Sequence, residues 1–298
     1  MSLELLLGPE FKAGVAFGLA TAAVASAAGL VWRSRHGRPI PLAGVALVVA
    51  VLAGLAYTET IPRSLIWAMV ALAFGGLFAG RVRGVWPVPL LLAVPGAWLV
   101  AFRSEVVLPT WATWFVFAAV VVASPLAVDF EQRRTTWTPA LYALFVAGIF
   151  AAVPDTEQAL VLLGAAAVAA LLPLAGATFG SVGMYPAVGI ALWVIAQGAT
   201  GRPAAVLGAA ACLGVLVMEP IARRLSPRRI TLLDRVQGPY WEGLVVMVIQ
   251  LVAVLAASRI AGLEPDPVIA AAEASLVLAA LAGLLVVGGY LPWPRSPE

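Results

Sequence analysis

The placement of positive charge constrains this chain more than any other feature. Its 298 residues hold 18 Lys and Arg, and all but Lys12 are arginine. When the apolar stretches are taken as membrane-crossing helices, the gaps between them alternate between Arg-rich and Arg-poor. One set of gaps carries Arg33, Arg35, Arg38, Arg81, Arg83, Arg133, Arg134, Arg223, Arg224, Arg228, Arg229, Arg235 and Arg295. The other carries only Lys12, Arg63, Arg103, Arg202 and Arg259. Cytoplasmic loops retain Lys and Arg. The asymmetry therefore predicts an all-α, polytopic transmembrane helix bundle with its N-terminus outside and its C-terminus cytoplasmic.

Composition points the same way. The chain is 62% hydrophobic and 11% charged, with a mean hydropathy of +1.01. A soluble domain carries about 25% charged residues, so this inventory cannot build a water-facing surface. The net charge of +3 does not signal nucleic acid, because the arginines sit in short clusters beside apolar spans. Anionic lipid headgroups are the ordinary partners of such clusters. Cys212 is the only cysteine and His36 the only histidine, and asparagine is absent. An intramolecular disulfide, a cysteine metal site, HExxH metal sites and glycosylation sequons are thereby excluded, and no cofactor or metal is expected.

A membrane helix needs about 20 apolar residues to cross a core of about 30 Å. Eleven segments qualify, with ten to twelve the tolerance: about 11–32, 40–57, 62–80, 86–102, 111–128, 137–153, 158–176, 184–200, 203–222, 239–258 and 267–290. The third, fourth, sixth and eighth are short. Ala25-Ser26-Ala27 has the pattern of a signal cleavage site, but Glu4 and Glu10 precede the span and the basic cluster follows it. A signal peptide needs the reverse, so the first segment is expected to remain as a helix. The short loops leave a single integral membrane domain over 1–298.

Five residues are candidates for a substrate or ion pathway: Glu273, Gln250, Glu219, Ser181 and Tyr185. A charge at mid-bilayer costs roughly 2.5–3.5 kcal/mol on insertion scales, so each buried acid needs a reason. Glu219 precedes Pro220 and stands four residues before Arg223, which fits either an interfacial salt bridge or a gating acid at a kink. Glu242 opens the tenth segment, where an acid complements the helix dipole. Asp266-Pro267 reads as an N-cap followed by Pro at the first helical position. That register places Glu273 about 9 Å into the last segment, and Gln250 lies about 12 Å into the preceding one. The two are expected to meet, either as interhelical hydrogen-bonded glue or as part of a proton path. Ser181 and Tyr185 belong to the uncharged, Gly- and Pro-rich junction 173–189, which is either a discontinuous helix or a tight turn.

The longest arginine-rich connection, 223–238, carries Arg223, Arg224, Arg228, Arg229 and Arg235, expected to contact anionic lipid. Ile230, Leu232, Leu233 and Val236 fall on one side of a helical wheel, as for a short helix lying in the headgroup plane. Together these features favour a small-solute or ion transporter-like protein of the cell membrane, of the bacterial inner-membrane kind. The alternatives are an enzyme acting on a lipid-linked phosphate at the cytoplasmic face, and a non-catalytic subunit of a larger complex. An oligomer or complex partner stays open under each of these readings.

Overall fold

A computed structural model describes residues 8–36, 40–82, 87–134, 137–153, 156–172, 177–236, 239–262 and 266–290. Among them the secondary structure is helical throughout, apart from one isolated bridge between Ile40 and Ala177. The helices are α1 (Pro9–His36), α2 (Ala43–Tyr57), α3 (Arg63–Ala79), α4 (Val88–Phe102), α5 (Thr110–Arg133), α6 (Thr138–Ala152) and α7 (Glu157–Ala169). They continue with α8 (Gly180–Gly198), α9 (Ala205–Ala211), α10 (Gly214–Leu225), the single turn α11 (Leu232–Arg235), α12 (Pro239–Gly262) and α13 (Pro267–Gly288). Helix is what lipid demands: each backbone N–H and C=O is satisfied within its own segment.

Every apolar segment of the sequence corresponds to one of these helices, the ninth to the pair α9 and α10. Five helices are long and apolar enough to cross a membrane, and a sixth span results if α9 and α10 count as one. The remaining apolar helices, α2, α3, α4, α6 and α7, run 13–17 residues. At 1.5 Å per residue they reach about 20–26 Å, short of a full hydrocarbon core. The eighth segment is a correction. It is not short: α8 has 19 residues and starts at Gly180, ahead of the expected 184, because its first N–H is met by Glu131.

α8 is the axis of the bundle and is buried from Gly183 to Ala196. It packs on α2, α3 and α5, while α1 and α13 keep broad apolar faces exposed. Small residues set the closest crossings, because lipid gives helices no hydrophobic reason to associate and tight packing must substitute. Where α2 meets α8, a Cβ on Gly44 would fall 2.8 Å from the Gly183 backbone. Where α1 meets α7, a Cβ on Gly164 would fall 2.6 Å from the Phe11 carbonyl oxygen. Neither position has room for alanine. Buried aromatic residues then anchor α8 through polar tips. Tyr142 donates to the Ala187 carbonyl, Tyr185 to Pro89 at 2.9 Å, and the Trp193 indole to Ser104 at 3.3 Å.

Candidate functional site

Two features of the same chain segment stand out, a break in a helix and a buried carboxylate below it. α9 and α10 meet at 68° across Cys212 and Leu213. Gly214 turns the chain there with φ +39°, in a region that L side chains rarely adopt. A break inside a membrane bundle strands backbone polar groups, and the Gln250 side chain from α12 collects them. Its amide donates to the Cys212 carbonyl at 2.6 Å, and its Oε1 accepts from the Val215 N–H at 3.0 Å. A Cβ on Gly214 would fall 2.7 Å from that oxygen, so the bracket needs glycine there.

This arrangement corrects the sequence reading twice. Gln250 does not pair with Glu273, since its carbonyl and amide are both spent on the break. Glu273 is half-buried on α13 and makes no hydrogen bond or ion pair among the described residues. The 173–189 junction, expected as either a discontinuous helix or a tight turn, shows no break within its described helical part, and the break lies in the ninth segment instead. From Gly180 onward that stretch is continuous α8, with Ser181 in its first turn against α3 and Tyr185 buried and bonded to Pro89. Pro173 and Gly176 lie outside the described residues, as do Arg38, Arg83 and Arg295.

About a turn and a half below the break, α10 presents Glu219, fully buried. Arg223 donates to its Oε1 at 3.3 Å, the i,i+4 pair that the sequence suggests, and Thr231 approaches the same oxygen at 3.3 Å. The second oxygen has no hydrogen bond, although Arg133 from α5 stands 3.6 Å away, within ion-pair range. Around this centre the ends of α5, α10, α11 and α12 are joined by ion pairs. Arg134 reaches Asp234 and Glu242, both at 2.7 Å, and Arg223 also binds Asp234. Asp129 holds Arg133 and, at 3.1 Å, Arg224. Four carboxylates therefore face four guanidiniums, and the cluster is close to neutral.

Asp234 lies outside the helical spans and shows the balance of forces in the cluster. Burial pushes its carboxyl up, but the Thr231 amide, Arg223 and Arg134 outweigh that and hold it below the usual carboxylate range. The same Thr231 and Asp234 form a reciprocal capping box that defines the one-turn helix α11.

The arginine-rich connection also differs from expectation. Leu232, Leu233 and Val236 are buried in the protein, so the amphipathic pattern serves the bundle and not a headgroup plane. A single turn is too short to lie amphipathically, and Gly288 and Gly289 of the α13 end let it pack close. Arg223 donates to the Arg229 carbonyl, Arg235 to the Gly289 carbonyl, and Arg228 stacks over Tyr290 at 5.7 Å. Glu131 is 3% exposed and accepts the Gly180 N–H at 2.7 Å. No local motif marks that role, because Gly180 lies 49 residues away. The signal for the break was equally faint, two glycines at 208 and 214 flanking a short apolar run.

On the flank formed by α6, α7 and α12, a groove of about 500 Å³ is lined by Ala140, Ala143, Leu144, Ala170, Met247, Val248 and Leu251. Its lining is apolar, suited to lipid tails and not to a hydrated solute. No group of three or more His, Cys, Asp or Glu among the described residues could hold a metal ion.

The class these observations define is a membrane-embedded helical bundle. No family model matches the chain, and no curated protein matches it in sequence.

Proposed function

We propose that this protein is a transporter of a small solute or ion, spanning the cell membrane eleven times with its arginine-rich end cytoplasmic, and that the charge cluster is the closed cytoplasmic gate. The observation that carries this reading is the broken pair α9 and α10, bracketed by Gln250 at its bend and ending on the buried Glu219. Discontinuous helices near mid-membrane are a recurrent feature of transporter sites, where the unwound backbone supplies ligands. A neutral set of ion pairs is suited to gating, since it can open without leaving a net charge in the bundle. The cluster binds four separate elements, so opening it frees their ends together. Arg229 and Arg228, at the rim, are the arginines placed to meet anionic lipid. The lipid-phosphate enzyme is the weaker reading, because Arg134, Arg223 and Arg235 are already engaged by protein acids or carbonyls.

The native Cys212, at the break, is the reporter. In lipid vesicles, a membrane-impermeant thiosulfonate applied from the arginine-rich side should label it slowly. Arg134→Gln, which unpairs Glu242 and leaves Asp234 with Arg223 alone, should raise that rate about fivefold or more. A thiol that stays unreactive in both proteins would sink the gate and the water path it implies.

A further inference from the structure

Glu273 is the least explained side chain of the molecule. It sits six residues into α13, about 9 Å from the helix start, on a helix whose flank is largely exposed. Unpaired carboxyls at that depth are costly, and neutralising one still leaves its hydroxyl and carbonyl without partners. On the neighbouring α12, Arg259 lies three residues from the same end of the bundle, about 5 Å in. It is exposed, and it too makes no ion pair or hydrogen bond among the described residues. Two opposite charges thus stand on adjacent helices at similar depth and pair neither with each other nor with any other described residue. The longer arginine stem can cover the difference in depth.

We infer that the outer flank of α12 and α13 is the surface on which a second copy of this chain docks, with Glu273 of each protomer pairing with the partner's Arg259. A face carrying one charge of each sign is complementary to itself. In a two-fold interface residue i meets j while j meets i, so both charges are satisfied twice by one symmetry operation. An axis along the membrane normal keeps both pairs at equal depth. The surface also allows close approach: a Cβ on Gly283 meets nothing within 4 Å, and Leu276 and Ala279 beside it are exposed. This inference does not depend on the transport reading.

The test is charge exchange between differently tagged chains, co-expressed in membranes and read by tag capture and by subunit counting in bilayers. The wild type should dimerise. Glu273→Arg and Arg259→Glu should each lower self-association about tenfold or more, because each creates two like-charge contacts. Co-expressed, the two variants should recover a heterodimer at the wild-type level, since its pairs are then Arg with Glu and Glu with Arg. Restoration in the mixture alone identifies pairing between chains, not within one. Should either reversed chain fail to fold, Glu273→Gln and Arg259→Gln remove the charges more gently and should also weaken the dimer. A wild type that is monomeric at every protein-to-lipid ratio, neutral variants that dimerise unchanged, or a mixture that stays monomeric would overturn the proposal.

Discussion

The two ends of the bundle are held by different chemistry. At the arginine-rich end, α5, α10, α11 and α12 are joined by ion pairs around Glu219 and Asp234. At the opposite end, Lys12, Arg63, Arg103, Arg202 and Arg259 make no ion pair among the described residues. That end is closed by rings and neutral hydrogen bonds instead. Trp98, Phe102, Trp114 and Phe117 pack together where α4 meets α5, with Trp98 and Phe102 stacked at 4.2 Å. Ser104 donates to the Leu99 carbonyl at 2.8 Å and receives the Trp193 indole on its own carbonyl. Aromatic packing and neutral bonds are indifferent to moderate pH and salt, whereas ion pairs are not. The same fold thus has one end that charge can loosen and one that it cannot.

The largest expected effect breaks the ionic end. Glu219→Ala removes the buried centre and leaves Arg133 and Arg223 facing each other without their shared acid. Loss of one partner from a buried pair costs about 3–5 kcal/mol. The lower end of that range applies because Arg133 and Arg223 are partly exposed and keep Asp129 and Asp234, so thermal unfolding in detergent should shift clearly downward. Arg103→Ala at the opposite end is the control and should stay within about 0.5 kcal/mol of wild type. Comparable shifts in the two variants would erase the contrast.

Gln250→Leu should come next, since it strips the Cys212 carbonyl and the Val215 amide of their partners at once. An unsatisfied buried group costs about 1–3 kcal/mol, and local hydrogen exchange around 212–215 should rise before global unfolding does. Unchanged protection there would mean that the break is stabilised by something other than this side chain.

Acid should then sharpen the comparison. Asp234 titrates below its ordinary value in the folded protein, so its contribution is fully present above the unfolded value of about 3.9. It is lost as pH falls through the lower folded value. Unfolding followed from pH 7 to pH 3 should therefore show a fall at the low end, and Asp234→Asn should flatten it. A variant with the wild-type acid profile would assign the loss to other carboxylates.

The smallest effect is that of salt. Asp129 with Arg133 and Arg224 is the most exposed part of the cluster, and pairs of that kind contribute about 0–1 kcal/mol. Raising ionic strength should weaken the arginine-rich end by no more than this, measured as the change in Cys212 labelling. A large salt effect would show the buried pairs to be accessible to ions.

Several parts of this picture are legible in the residues themselves. Asp266 caps α13 by accepting from the Val268 N–H at 2.9 Å, with Pro267 at the first helical position, as its sequence pattern indicates. Glu219 and Arg223 pair along one helix face because four residues make a turn. Glu242 reads as a dipole acid, and it does open α12, but its partner Arg134 lies 108 residues away. Gln250 and Glu273 correspond in depth alone, and depth says nothing of which way a helix is rotated about its axis.

The amino-acid sequence by itself determined that this chain is helical, apolar enough for a membrane, and charged on one side. Those properties follow from composition, from hydrogen bonds made four residues apart, and from charge placed beside each span, all of them local. Only the tertiary structure decided where the ninth segment breaks, which arginines are consumed by acids, and that Glu273 is left without a partner among the described residues. Each of these depends on a contact between distant segments, such as Arg134 with Asp234 across 100 residues or Gln250 with Cys212 across 38. Such contacts are set by how the helices rotate and cross as they pack, and no local pattern records that rotation.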